Sequence, residues 1–364
     1  MHSQRKVFSL ILVCTLLVGC FLFAGCGNTE ATNPDVQQTE RTVTDAAGRE
    51  VIIPAEINKV YSTNPIGTML VYTINPDKLA GWNTELRGGE KRFIAEKYQQ
   101  LPVLGGWYAK TTGSVEELLK AKPDIIINVG ETDESSIDFA DKLQEQANIP
   151  VLILKLDLDK IDETYDMLGD FINEKEVTDK CAKYCADTLK DINDKAAKIT
   201  EEQRVRVYYA EGPKGLNTDP AGSRHTQVLD MVKGINVAEV ENAGKAGMAE
   251  VSLEQVLLWN PEVILCWNTQ EQGGYFDGIM SSADWKNISA VKNNKVYETP
   301  CAPFCWFDRP PSVNRVLGLK WLGNLLYPEV YNYDMAKEVK EFYDLFYHYQ
   351  LTDAEVTELL KNAQ

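Results

Sequence analysis

Hydrophobic and polar positions along the chain switch repeatedly between two periods. Residues 114–127 read SVEELLKAKPDIII, and residues 252–265 read SLEQVLLWNPEVIL. The offset is 138 positions, and Ser, Glu, Leu, Pro and Ile fall in register. In each copy a serine sits where a helix N-cap is needed, and Glu117 or Gln255 three residues on is placed to complete a capping box. An amphipathic stretch follows. Pro123 or Pro261 then ends the helix, because proline disfavours helix in the residue before it. The β-branched run after the acidic residue predicts a strand buried on both faces, as in a parallel sheet. Such units also occur singly in many α/β proteins. Used twice, half a chain apart, the unit predicts two α/β lobes built alike, with a cleft between them where ligands preferentially bind.

The remaining periodicity fits that plan. Residues 42–54 alternate around Gly48 and predict a β-hairpin. Asn64-Pro65 opens a helix, with proline at the first helical position. Further strands are predicted at 59–62, 79–82, 103–104, 150–156, 204–210 and 295–298, with helices between them. Strands alternating with helices predict parallel sheets. Residues 159–201 differ: they hold no proline and one glycine, and Ile161, Tyr165, Leu168, Phe171 and Ile172 recur at helical spacing. They predict two nearly continuous helices broken near Asn173, a stiff connector between lobes. The expected organisation is therefore a leader over 1–26, a flexible tether over 27–41, an N-terminal α/β lobe over 42–158, a connecting helical segment over 159–201 and a C-terminal α/β lobe over 202–364. The two lobes are Rossmann-like.

The start of the chain changes the picture from fold to location. Arg5 and Lys6 precede an apolar run to Gly25, the pattern of an export signal. The run ends Phe-Ala-Gly-Cys at 23–26, followed by a polar stretch. Small residues before a cysteine resemble a bacterial lipobox. Cys26 is the favoured lipidation site and Cys20 the alternative, since cleavage at Cys20 would leave Phe21-Leu22-Phe23 on the mature end. Acylation with palmitate-like chains would anchor the protein to the extracytoplasmic face of the membrane; a plain signal anchor is the other reading. The 364 residues carry 54 acidic against 37 basic side chains, a formal charge of −17. That balance disfavours nucleic acid as a partner. If Cys26 is lipidated, Cys181, Cys185, Cys266, Cys301 and Cys305 remain, an odd number that does not make a complete disulfide framework. Pairing of Cys301 with Cys305, or of Cys181 with Cys185, stays open.

Several elements together resemble one family. They are Thr44-Asp45 with Gly48-Arg49-Glu50-Val51, both Ser-x-Glu…Pro-[Asp/Glu] units, Trp285 with Ala290–Tyr297, and Trp321-Leu322 with Leu326–Glu329. The chain resembles, over residues 42–332, the substrate-binding lipoproteins of ABC importers for iron complexes, haem and cobalamin. The resemblance implies two α/β lobes joined by a long helix, ligand held between them, no chemistry performed and no cofactor. It implies a monomer that meets an ABC permease and its ATPase. It also implies that one exposed glutamate per lobe, seven residues before the proline, docks on permease arginines: here Glu116 and Glu254.

Ligands of open α/β sheets sit outside the carboxyl ends of the strands. That rule selects Asn64, Trp82, Trp107, Tyr108, Arg224, His225, Trp267, Trp306 and Arg309 as cleft candidates. Aromatic walls suit a ferric siderophore, haem or corrinoid, although a tryptophan after a strand equally fills core. Arg224 and Arg309 suit an anionic chelate or a molybdate-like oxyanion, or a salt bridge such as one to Asp308. His225 is a candidate metal ligand or a structural histidine. Cys266, Cys301 and Cys305 also fall at strand ends, and with His225 they form a weak candidate for direct binding of a soft metal ion. The expected function is capture and delivery of an iron complex, with an oxyanion or bare-metal receptor as the alternative. A secreted enzyme is disfavoured: there is no Gly-x-Ser-x-Gly elbow, no His-Glu-x-x-His and no phosphate loop.

Overall fold

The computed structural model describes residues 39–364, apart from residue 110 and residues 242–247. The export leader, Cys20, Cys26 and most of the expected tether lie outside the described residues. The tether ends earlier than the sequence predicts. Arg41 is already in a strand and donates to the backbone oxygens of Asp170 (2.8 Å) and Phe171 (2.7 Å).

In chain order the strands are β1 (Glu40–Thr44), β2 (Glu50–Pro54), β3 (Val60–Ser62), β4 (Ile125–Val129), β5 (Val151–Leu154), β6 (Arg206–Ala210), β7 (Asn217–Thr218), β8 (Ile235–Asn236), β9 (Ala249–Glu250), β10 (Val263–Cys266) and β11 (Val296–Glu298). β1 and β2 form the predicted hairpin, with Gly48 at φ +78° in its turn. β3-β4-β5 is one parallel sheet, and β11-β10-β6-β8 is a second, also parallel. The chain is thus α/β with two similar parallel sheets. The stretches at 79–82 and 103–104 pair only as isolated bridges, Val60 with Leu79 and Trp82 with Val103.

The repeated unit supplies an inner strand to each sheet. Ser114 accepts from the Glu117 N–H (3.3 Å) and Ser252 from the Gln255 N–H (3.2 Å), so both serines cap. Glu117 turns outward to Lys120 (2.8 Å) and does not complete a capping box. Both helices end in a left-handed residue directly before the proline, Lys122 at φ 51° and Asn260 at φ 45°. Proline excludes the right-handed helical conformation at that position, and the chain leaves through the left-handed one.

Side-chain alternation along the strands sorts the core into layers. Ile125, Ile127, Leu152 and Leu154 of the first sheet and Val207, Tyr209, Val263 and Leu265 of the second face one shared core. Ile126, Val151 and Ile153 face the outer helices of the first lobe, and Tyr208, Ala210, Ile264 and Cys266 those of the second. The shared core also holds the helix Lys175–Ala196 and the closing helices Met335–Tyr347 and Asp353–Leu359. Tyr343 and Tyr347 reach the first lobe, Tyr343 meeting Phe93 edge-on (5.1 Å) and Tyr347 lying tilted against Tyr72 (6.2 Å).

The break at Asn173 is a reversal, where the sequence predicts near-continuity. Asn173 takes a left-handed φ of 60°, and helices Ile161–Ile172 and Lys175–Ala196 fold back on each other. Gly169 lies so close to Thr178 that a Cβ there would stand 1.9 Å from its Oγ1. Lys175 reaches Asp166 at 3.3 Å across the turn. Only the second helix of this hairpin runs on to the second lobe.

Candidate functional site

The carboxyl ends of both sheets converge on the gap between lobes. Two depressions occupy it. The first, about 360 Å³, is bounded by Thr68, Trp82, Asn83, Leu86, Arg87 and Tyr108 from the first lobe and Phe304 and Pro310 from the second. The other, about 390 Å³, lies between Gly130-Glu131 and Lys155–Asp157 on one side and Ser223, Arg224, Gln227, Pro311 and Arg315 on the other. Each is at the small end of ligand sites, which run about 300–1,000 Å³. Arg87 and Arg224 tie across the gap. Arg87 donates to the Glu271 carbonyl (3.2 Å) while held by Glu90 (2.8 Å), and Arg224 faces Glu131 at 3.9 Å.

The residues expected at the cleft divide by which way they point. Tyr108 and Arg224 line the depressions, Arg224 with its side chain 67% exposed. Trp82 shows one edge to the first depression but is buried, its Nε1–H donated to the Tyr98 carbonyl (2.8 Å). Asn64 is buried and structural: it caps the helix Pro65–Ile74 and donates to the Val129 carbonyl (2.7 Å). Trp107 packs edge-on against Tyr61 and Phe139, and Trp267 is half-buried; neither borders a depression. Trp306 is 0% exposed. Its loop tucks beneath the helix Asn314–Leu326, with Gly318 pressed against its backbone, so it is core and forms no wall. The expected aromatic lining is therefore reduced to Tyr108, Phe304 and an edge of Trp82.

The thiols do not form a soft-metal site. Cys266 faces the outer core of the second lobe, whereas Cys301 and Cys305 lie in the shared core. All five described cysteines are buried free thiols, so neither of the pairings left open is formed. Among the described residues, the group that brings three possible ligand atoms together is Asp219, His225 and Asp308, within 4.8 Å of one another. His225 Nδ1 and Asp308 Oδ1 are 2.5 Å apart.

Arg309 is bound into that group. Its Nη1 donates to Glu211 (2.8 Å), Asp219 (2.7 Å) and Asp308. The neighbour salt bridge open in the sequence is present, joined by two carboxylates from distant loops. Burial works against the Arg309 charge, yet Asp308, Asp219 and Glu211 hold its pKa above the usual value. Burial, then the Asp219 charge, pushes the Glu211 carboxyl up to about 9.

Arg315 is the cleft cation that strand-end reasoning passed over. It sits in the first turn of the helix Asn314–Leu326, is 3% exposed and borders the second depression. Its Nη1 makes only long contacts, to the Arg224 carbonyl (3.4 Å) and Gln227 Oε1 (3.5 Å), and its Nε has no partner. Among the described residues no carboxylate lies within ion-pair reach of it. Burial depresses its pKa to about 10. The signal was available: a charged residue in the first turn of a mostly apolar helix that is buried along nearly its whole length.

Comparison with known proteins decides the family. Residues 92–303, more than half of the chain, match the model of a family described as periplasmic binding protein. The chain belongs to the periplasmic binding protein family. An ABC transporter solute-binding protein from Sulfurospirillum deleyianum superposes with a TM-score of 0.80 at 31% identity, covering 88% of this chain and 99% of that one. The molybdate-binding protein MolA of Haemophilus influenzae is 26% identical over 339 residues, 85% of this chain and 91% of MolA. An uncharacterized ABC transporter substrate-binding lipoprotein of Bacillus subtilis, YvrC, is 25% identical over 336 residues, 87% of this chain and 96% of YvrC. This periplasmic binding protein is accordingly an extracytoplasmic substrate-binding protein of an ABC transporter and not an enzyme. Among the described residues no helix is long and apolar enough to cross a membrane.

Proposed function

We propose that the protein captures a compact anionic metal species, an oxyanion of the molybdate kind or a ferric carboxylate chelate, and delivers it to an ABC permease and its ATPase. The observation that carries this reading is Arg315: a guanidinium 3% exposed, without a carboxylate partner among the described residues, at the rim of an interlobe depression of about 390 Å³. A buried cation without a counter-charge is costly unless a ligand supplies one. Arg224 and Lys155 stand beside it, and an Arg fork matches an oxyanion's geometry. The molybdate that MolA binds supports the same chemistry. The burial of Trp82 and Trp306 weighs against haem or a corrinoid as cargo.

The remaining roles belong to the same proposal. Glu116 and Glu254 are exposed at like positions of the two lobes, and they dock on the permease. Cys26, with Cys20 as alternative, carries the lipid; the lipobox-like residues before it and the lipoprotein designation of YvrC support that assignment.

Thermal denaturation with a ligand panel tests the reading. At one hundred times its dissociation constant a bound ligand adds about 2.7 kcal/mol. Molybdate or ferric citrate is expected to raise the melting temperature. Ferric hydroxamates without net negative charge, haem and cobalamin are expected to leave it unchanged. Stabilisation by one of those alone would refute the anion reading.

A further inference from the structure

Four side chains from separate loops meet in one buried place. Glu211 follows β6, Asp219 follows β7, His225 lies in the turn Arg224–Thr226, and Asp308 lies beyond β11. Glu211, Asp219 and Asp308 are 0% exposed. Their oxygens converge on a single nitrogen, Arg309 Nη1, at 2.8 Å, 2.7 Å and closer. One Nη1 carries two protons, yet three carboxylates are aimed at it. Convergence of several oxygens from different segments on one point is the arrangement of a metal's ligand shell.

The charges do not close either. Three carboxylates face one guanidinium, and fully ionised they would carry two uncompensated negative charges in a place shielded from water. One divalent cation, or two protons, balances them. Glu211 Oε2 is an independent sign: it is buried and without a hydrogen-bond partner, and such an atom calls for an explanation. The ligands are also held in place. Asp219 Oδ1 accepts from the Met248 N–H (3.2 Å) and the Ser223 hydroxyl (3.3 Å), leaving Oδ2 for the pocket. Glu211 is pinned through its backbone to Asn217.

We propose that Glu211, Asp219, His225 and Asp308 form a divalent-cation site, and that a Mn²⁺ or Zn²⁺ ion displaces the Arg309 guanidinium from it. Three carboxylates with one imidazole suit these borderline ions better than Mg²⁺ or Ca²⁺, which prefer oxygen alone. The displaced Arg309 moves toward the cleft, where its neighbours Pro310 and Pro311 already border the two depressions. Arg315 bonds to none of these four residues, although its charge is felt at Asp308, and the site does not depend on the anion reading.

Chelator-stripped protein titrated with MnCl₂, ZnCl₂, MgCl₂ and CaCl₂ near neutral pH, by calorimetry and thermal denaturation, tests it. One equivalent of Mn²⁺ or Zn²⁺ is expected to bind and raise the melting temperature. Asp219→Asn and His225→Gln are expected to weaken binding by about tenfold or more. Arg309→Met is expected to tighten it, because the internal competitor is gone. Arg315→Met is expected not to weaken it, because the guanidinium acts on Asp308 with the same sign of charge as the ion, which separates this outcome from failure of the anion reading. Absence of stoichiometric binding in both the native protein and Arg309→Met overturns the proposal. So does binding that survives Asp219→Asn and His225→Gln, which would place the ion on the acidic surface.

Discussion

Arg315→Met isolates the charge on which the anion reading rests. Burial holds this guanidinium at about 10, below its usual value. A gap of that size corresponds to about 3 kcal/mol against the charged form. The fold returns little for it, since the contacts to the Arg224 carbonyl and Gln227 are 3.4 and 3.5 Å long. Methionine fills similar volume without charge, and replacing a buried ion by an apolar group is neutral or stabilising by about 1–4 kcal/mol. The ligand-free variant is therefore expected to be more stable by about 1–3 kcal/mol, a few degrees in melting temperature. Anion binding moves the other way. Loss of two charge-assisted hydrogen bonds, at about 1.5–3 kcal/mol each, weakens affinity by about 100-fold or more.

Lys320→Met, in the same helix, is the matched control. Lys320 is also buried but bonded to Glu338 at 2.6 Å. Its removal strands the carboxylate and should destabilise, with binding unaffected. Calorimetric titration with molybdate and ferric citrate, beside urea denaturation, reads both effects. An Arg315→Met protein that is less stable than the parent and binds anions equally well would refute the reasoning.

Other outcomes follow from the same structure. The Glu211 carboxyl is raised by burial and by Asp219 to about 9, with Asp308 and Arg309 also facing it, so the folded state holds a proton that the unfolded chain releases near 4.5. Stability from this group is present below about pH 4.5 and is lost as pH rises toward 9; melting curves should show that decline, and Glu211→Gln should flatten it. Glu116→Lys with Glu254→Lys is expected to weaken stimulation of the permease-coupled ATPase in proteoliposomes by about tenfold or more, with ligand affinity unchanged. Gly318→Ala places a Cβ 1.8 Å from the Trp306 carbonyl, a backbone atom that cannot rotate away, and should cost about 2 kcal/mol or more in urea denaturation. Cys26→Ser is expected to release the protein from membranes in a fractionation assay while Cys20→Ser does not; the reverse result would move the anchor to Cys20.

What was legible in the sequence is what neighbours decide. Ser114 and Ser252 cap, Pro123 and Pro261 end their helices, and the β-branched runs after them are buried strands, because each instruction acts within a few residues. Legibility fails where direction matters. Helical spacing over 161–196 cannot say whether a second helix continues or doubles back; that depends on Gly169 and Thr178 being able to touch. Position after a strand puts Trp306 near the cleft, but the next loop turns it inward. Alternation along β10 sends Cys266 to the outer core, whereas the loop after β11 carries Cys301 and Cys305 into the shared core.

The three arginines of the cleft make the point most sharply, because residue type does not distinguish them at all. Arg224 is exposed beside Glu131, Arg309 is clasped by three carboxylates, and Arg315 is buried with none of the described carboxylates within ion-pair reach. Their partners lie up to 98 positions away in sequence. Function here depends on that distribution: a guanidinium already neutralised cannot recruit an anion strongly, and one in water is screened. Only a buried guanidinium without a carboxylate partner retains most of its field for a ligand. Strand-end position selected Arg224 and Arg309 and passed over Arg315. The fold brings Glu211 and Asp219 to Arg309 and buries Arg315 in the first turn of its helix.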